Sequence, residues 1–240
     1  MKPTIEVCFT PKLFPCVLTE DNCVVVVVDI LRATTSICAA FANNVKSIIP
    51  VAKPEVAMRM KNIGFLVAAE RDGKKLDFAD FGNSPKNFMT PEVKGKEIVY
   101  STTNGTQAID MSKKYGTVAI GAFTNLSALT KWLLKQNKNI LILCSGWKGK
   151  FNLEDSIYAG ALASNIMASK KYETTCDSVH AAMDLWNIAK EDLLEYVEKA
   201  SHRHRLKNMV LDDIMEYSFT VDSTNVVPVL DGGKLVDVLK

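Results

Sequence analysis

Five consecutive valines, Val24 to Val28, run into Asp29 and constrain the fold more than any other stretch of the chain. β-Branched side chains are stiff at χ1 and suit a pleated strand. An unbroken apolar run, in place of an alternating one, marks a strand covered on both faces. Helices must then flank the sheet. The spacing predicts them over residues 33–43, from Pro54 onward, after Gly105, and over residues 125–135, 154–168 and 191–204. Strands are expected at residues 45–51, 65–69, 97–100, 117–120 and 139–144, and more loosely at 221–230 with an Asp231-Gly232-Gly233 turn after it. Such alternation predicts an α/β protein with a largely parallel or mixed sheet. A division near residue 120 would give two halves of similar character, 1–120 and 121–240.

Composition narrows the class. With 240 residues and 48% hydrophobic content the chain can bury a sizeable core, which excludes a disordered segment. A net charge of +2 gives no bulk field for nucleic acid or an acidic membrane, so an anion site must be local. The valine run, the longest aliphatic stretch, falls far short of the roughly 18 apolar residues of a membrane span. The first ten residues lack the apolar centre of a secretory signal, so the cytoplasm is the expected compartment. Cys8, Cys16, Cys23, Cys38, Cys144 and Cys176 form no C-x-x-C pair, which predicts free thiols and neither a disulfide framework nor structural zinc.

Open α/β sheets bind ligands at the carboxyl ends of their strands, and four expected strands lead into compact polar segments. Asp29 closes the valine strand, where a carboxylate can hold a hard cation such as magnesium. Arg32, Thr34 and Thr35 open the following helix and can meet an anion, or simply cap the helix. Glu70 and Arg71, then Gly82, Asn83 and Ser84, offer a bidentate cation and hydrogen-bonding groups, or else an ion pair and a turn. Thr102, Thr103, Asn104, Gly105 and Thr106 lie between a strand and a helix without the lysine of a Walker A loop. Their hydroxyls and amides would cradle a phosphate or sulfonate, or cap the helix. Gly146, Trp147 and Lys148 follow the fourth strand, and Glu154 and Asp155 at the next helix start can ligate or orient a metal.

Rival chemistries leave weaker traces. Cys144 and Lys150 share the spacing of the C-x5-R loop in which a thiolate attacks phosphorus, but lysine lacks the planar fork that matches three phosphoryl oxygens. Leu31 stands where a haloacid-dehalogenase-type phosphatase needs its second aspartate. The chain also lacks G-x-S-x-G, H-E-x-x-H and G-x-G-x-x-G. His202-Arg203-His204-Arg205 can meet an anionic substrate, but reads rather as solvated basic residues at the end of a helix. Met58, Met60, Trp132 and Trp186 read as packing residues.

Together the segments from Asp29 to Thr35, Glu70-Arg71, Gly82 to Pro85, Thr102 to Thr106, and Cys144 to Gly149 with Leu153-Glu154-Asp155 resemble, in kind and order, the 2-phosphosulfolactate phosphatase family. The likeness covers most of the chain and extends more loosely to Val226 through Val229. It departs at Arg71-Asp72-Gly73, where the family turn is richer in glycine, and at Lys150, where arginine is frequent. The resemblance implies a three-layer α/β/α fold with two related halves and a homo-oligomer such as a dimer. It also implies a magnesium-dependent phosphatase that converts 2-phospho-3-sulfolactate to 3-sulfolactate and phosphate in coenzyme M biosynthesis. On that footing Asp29 and one or both of Glu154 and Asp155 are expected to hold Mg2+, with the other carboxylate or Glu70 as general base. Arg32, Arg71, Lys148 and the 102–106 loop would bind a small substrate carrying phosphate, carboxylate and sulfonate. Two other readings fit the same residues: a phosphatase for a different small phosphorylated acid, and a non-catalytic binder of anionic metabolites.

Overall fold

Val24 to Val28 have no exposed surface, and the strand that contains them lies in a sheet with parallel partners on both sides. The computed structural model describes residues 2–17, 23–208 and 214–240. Among these the strands are β1 (Ile5–Cys8), β2 (Cys23–Val28), β3 (Ser47–Pro50), β4 (Leu66–Arg71), β5 (Lys74–Lys75), β6 (Glu97–Ser101), β7 (Gly116–Gly121), β8 (Ile140–Cys144), β9 (Pro228–Asp231) and β10 (Lys234–Asp237). The helices are α1 (Phe14–Val17), α2 (Ala33–Ala42), α3 (Pro54–Asn62), α4 (Gly105–Ser112), α5 (Leu126–Gln136), α6 (Leu153–Ala168), α7 (Asp177–Ala189), α8 (Leu193–Val197), α9 (Ser201–Asn208) and α10 (Met215–Phe219). They make the three-layer α/β/α arrangement, on a mixed, mostly parallel sheet of order β1-β8-β2-β7-β9-β10-β3-β6-β4-β5. All six cysteines are free, and no described helix is long and apolar enough to cross a membrane.

The sheet has two parallel blocks, β1-β8-β2-β7 and β3-β6-β4, joined by the β9–β10 hairpin. Each join is a single antiparallel pair, Ala119 with Val229 and Leu235 with Ile48. Three reversals in succession make the second block run opposite to the first, so in a flat sheet their carboxyl ends would lie at opposite edges. They meet instead: a Cβ placed on Gly105, after β6, would stand 2.5 Å from the Ala33 Cβ, after β2. The sheet therefore curls at the hairpin. α2, buried at every residue from Ala33 to Phe41, packs against β7 and β9 and against the start of α4. Its side chains are apolar apart from Thr34, Thr35 and Ser36, whose hydroxyls are hydrogen-bonded, as an enclosed helix requires. Residue 120 lies inside β7, and segments from both sides of it interleave in the first block.

Two expected elements differ. The helix expected over residues 191–204 is two helices, α8 and α9, with the break at residues 198–200. Within the stretch 221–230 only Pro228–Asp231 is a strand. The backbone before it is bonded elsewhere, Asp222 and Thr224 N–H to the carbonyls of Phe123 and Thr124, and Val227 N–H to the Asp237 carboxylate.

Candidate active site

The turn from β2 into α2 is fixed by its own side chains. Asp29 Oδ1 accepts the Ala33 N–H (3.2 Å), the Thr34 hydroxyl accepts the Asp29 N–H (3.0 Å), and the Thr35 hydroxyl donates to the Ile30 carbonyl (2.8 Å). Both threonines are thus engaged within the turn, and the structure does not bring them to the cleft surface. Asp29 Oδ2 has no hydrogen-bond donor among the described residues, and a Cβ on Gly105 would crowd it at 3.0 Å. Glycine is what allows α4 to begin this close to Asp29. Arg32 Nη2 donates to the Gly73 carbonyl (3.0 Å) while its side chain lines the cleft.

Successive residues of a strand face opposite sides, so β4 sends Glu70 into the cleft and Arg71 away from it. Glu70 Oε1 accepts the Thr103 N–H (2.7 Å), and Oε2 accepts the Gly73 N–H (2.7 Å) and the Thr103 hydroxyl (3.1 Å). This carboxylate ties the β4–β5 turn to the loop after β6. Arg71 donates to the carbonyls of Glu70 (2.6 Å) and Ala52 (2.9 Å) and to the Ser101 hydroxyl (3.0 Å), so it clamps the backbone. Thr102 and Thr106 hold each other: each backbone N–H donates to the other's hydroxyl, at 2.9 and 3.1 Å. The Tyr100 hydroxyl donates to Asn83 Oδ1 and the Ser36 hydroxyl to the Asn83 carbonyl, which fixes Asn83 on the cleft. Ser84 faces a neighbouring groove at the start of the turn Pro85–Phe88.

After β8 the chain turns at Gly146, where φ is +59° and a Cβ would lie 2.2 Å from the Lys150 carbonyl. Trp147 and Lys150 then exchange backbone bonds of 2.9 Å in a tight hairpin. Asp155 joins this loop to the one after β2: Oδ1 accepts the Ile30 N–H (2.9 Å), and Oδ2 the Gly146 N–H (3.1 Å) and the Asn152 amide (3.0 Å). Glu154 has no exposed surface. Its Oε1 meets the Asn152 amide (3.2 Å) and His202 Nδ1 (2.8 Å), and its Oε2 is buried without a partner. Lys148 is exposed and pairs with Asp72 at 2.7 Å, so its charge points outward, although its N–H reaches Asn104 Oδ1. Trp147 walls the cleft, with the His202 ring 5.6 Å away and the Arg205 guanidinium 3.3 Å above its own ring.

His202 and Arg205 correct the sequence reading, which left them on a solvated helix end. α9 begins at Ser201, so the cluster occupies its first turns, with His202 and Arg203 buried, Arg205 half-buried and His204 exposed. His202 is 7% exposed and Arg203 8%. A signal was present: of three histidines in the chain, two fall in this cluster of four residues.

The cleft is thus walled by Asp29, Arg32, Asn83, Asn104, His202 and Arg205, with Glu70 and Trp147 between them. Burial, with Glu70 and Glu154 nearby, pushes the Asp29 carboxyl up to about 6, against the opposing pull of His202 and the Ala33 N–H. Burial, then Asp29 and Glu154, push Asp155 well above the carboxylate range. Crowded carboxylates of this kind favour a cation. Among the described residues no three His, Cys, Asp or Glu side chains form a ready-made metal cage. Magnesium commonly takes only one or two carboxylates beside water and phosphate, and Asp29, open to the cleft with Oδ2 unbonded, fits that role. Cys144 fits no thiolate role, since it is wholly buried and burial pushes its thiol well above the ordinary range.

The chain matches proteins whose names bear on this cleft. It is 34% identical over 220 residues to a protein of Caldanaerobacter subterraneus subsp. tengcongensis, covering 90% of each chain, and that protein is called probable 2-phosphosulfolactate phosphatase. Proteins of the same name from Thermotoga maritima and Gloeobacter violaceus are 35% and 33% identical, covering 88% and 93% of this chain and 90% and 94% of theirs. The family model described as 2-phosphosulpholactate phosphatase matches residues 8–233, a span that holds every residue lining the cleft. By that match, and by the relatives that share nearly its whole length, the chain belongs to the 2-phosphosulfolactate phosphatase family.

Proposed function

We propose that this chain is a phosphatase for a small phosphate monoester bearing further acid groups, with 2-phospho-3-sulfolactate as substrate and 3-sulfolactate and phosphate as products. The observation that carries this reading is one cleft that holds an unbonded carboxylate oxygen of the largely buried Asp29 beside the N-terminus of α4 and the cations Arg32 and Arg205. Arginines and helix N–H groups attract a polyanion, while a bare carboxylate repels it unless a cation stands between them. Magnesium, when bound, would offset phosphoryl charge and acidify an attacking water. Asp29 would hold it, with Glu154 and Asp155 as further negative charge behind. His202, oriented through Nδ1 by Glu154, moves a proton at Nε2. As a water oxygen bonds to phosphorus the ester P–O bond breaks, and the departing alkoxide takes up a proton.

The test is phosphate release from 2-phospho-3-sulfolactate and a panel of other phosphorylated acids, in magnesium and in EDTA, beside Asp29→Asn. Release that needs magnesium, favours the sulfonate and vanishes in Asp29→Asn is the expected result. Undiminished release in EDTA would remove the metal from the reading. No release from any substrate, with a ligand-induced rise in melting temperature, would leave a binding protein.

A further inference from the structure

We infer that Arg205 sets the specificity of the cleft by binding the acid group of the substrate that is not transferred, sulfonate or carboxylate, while the phosphoryl group lies at the Asp29 end. The inference rests on the phosphatase reading above. Its guanidinium carbon lies 3.3 Å from the centre of the Trp147 ring, a cation–π contact that holds the side chain in place. Nη2 is buried and has no hydrogen-bond partner. A charged donor left in that state is costly, and native proteins seldom leave one without use.

No carboxylate among the described residues hydrogen-bonds or ion-pairs with it. Glu154, Asp72, Asp29 and Glu70 all act on Arg205 through space, against the burial that lowers its pKa. Glu70 is bonded through both oxygens, Glu154 Oε1 holds His202 and Asp72 pairs with Lys148, while Glu154 Oε2 and Asp29 Oδ2 are open but make no bond to Arg205. The other arginines are committed differently: Arg32 Nη2 holds the Gly73 carbonyl, and Arg71 clamps Ala52 and Ser101. Of the two arginines that line the cleft among the described residues, Arg205 is the one with a buried donor open.

Position assigns the group it meets. Asp29 and the start of α4 lie together, with Gly105 against Asp29 Oδ2. Arg205, on α9, stacks on Trp147 of the hairpin after β8 and lines the same cleft. An acid whose second oxyanion is a few bonds from its phosphate can present one group to each, and a planar guanidinium matches that oxyanion bidentately.

Equilibrium binding of 3-sulfolactate, lactate and inorganic phosphate, each in magnesium, to wild type, Arg205→Met and Arg205→Lys tests the assignment. In Arg205→Met the Kd for 3-sulfolactate should rise about 10- to 100-fold, with partial recovery in Arg205→Lys, while the Kd for phosphate stays within about threefold. A parallel loss for lactate identifies the carboxylate as the group held, and its absence identifies the sulfonate. Equal weakening of phosphate and 3-sulfolactate, or of neither, overturns the inference. Arg205→Lys keeps the stacked cation and the fold if the methionine variant melts early. Wild-type protein that binds none of the three ligands would refute the phosphatase reading itself, an outcome visible before any variant is made.

Discussion

The two walls of the cleft carry similar residues in opposite states. On the wall from β4 and β6, none of Glu70, Asn83, Thr102, Thr103 and Thr106 leaves a buried side-chain polar atom without a partner. On the wall from β2, β8, α6 and α9, Ser145 Oγ, Asn152 Oδ1, Glu154 Oε2 and Arg205 Nη2 are buried and unpartnered, and Asp29 Oδ2 has no donor. Buried polar groups are normally bonded, because leaving one open costs about 1–3 kcal/mol. The first wall is framework that holds the loops in register. The second is held open for a ligand. Burial and charge do not separate Glu70 from Asp29; the number of donors on each oxygen does.

Asp29→Asn should show the largest effect on the open wall. The amide keeps an oxygen for the Ala33 N–H but removes the charge, so phosphate release should fall by about 10³ or more. The melting temperature should hold or rise, since burial and the neighbouring Glu70 and Glu154 disfavour the ionised carboxylate. Retained turnover would close the open wall as a catalytic surface. Next come Glu154→Gln and His202→Gln, each expected to lower kcat about 10²-fold with little change in melting. Glu70→Gln should do the reverse. A glutamine presents N–H groups to the donors of Gly73 and Thr103, so denaturant titration should find a loss of about 1–3 kcal/mol while the folded fraction stays active. If Glu70→Gln cost more turnover than Glu154→Gln, the walls would have exchanged roles.

Much of this contrast lay beyond the sequence. The valine strand, the polar loops at strand ends and the acidic pair Glu154-Asp155 were legible, because periodicity and loop chemistry are local. So was α7 in principle, where Val179, Ala182, Met183, Trp186 and Ala189 recur at helical spacing, although it was not among the expected helices. Which side of β4 faces the cleft was not legible, because Glu70 and Arg71 differ by one residue and only the pairing of β4 with β6 sets their faces. The curl of the sheet was hidden as well, since it depends on a C-terminal hairpin inserted between two blocks. Without that curl the loops after β2 and β6 do not meet. The inward turn of His202 and Arg205 depends on Trp147, more than fifty residues earlier.

A titration sharpens the comparison at a smaller scale. The Asp29 carboxyl is pushed from the ordinary 3.8 up to about 6. Folded protein then holds this proton to higher pH than unfolded protein, so the associated stability is full below 3.8 and is lost as pH rises through about 6. Melting in EDTA should therefore show the advantage of Asp29→Asn over wild type growing from about pH 4 to about pH 6 and levelling above that, by a few degrees in a chain of this size. A constant difference would mean that Asp29 titrates as a solvated carboxylate and that its wall is not closed to water.

The smallest effect is expected at the boundary between apolar interior and open wall. Cys144 ends β8 with no exposed surface, and its neighbour Ser145 begins the wall that carries unpartnered atoms. Burial first, then the charge of Asp155, push the thiol well above its ordinary range, so no thiolate is available to attack phosphorus. Cys144→Ser should retain turnover within about threefold, and iodoacetamide should leave the folded wild type active. A folded Cys144→Ser protein with a 10²-fold or greater loss, roughly the cost of a missing nucleophile, would move bond-making from water to sulfur. Asp29 and His202 would then serve a covalent phosphoryl intermediate, and the unpartnered atoms of this wall would have to be reassigned to the groups that position and release it.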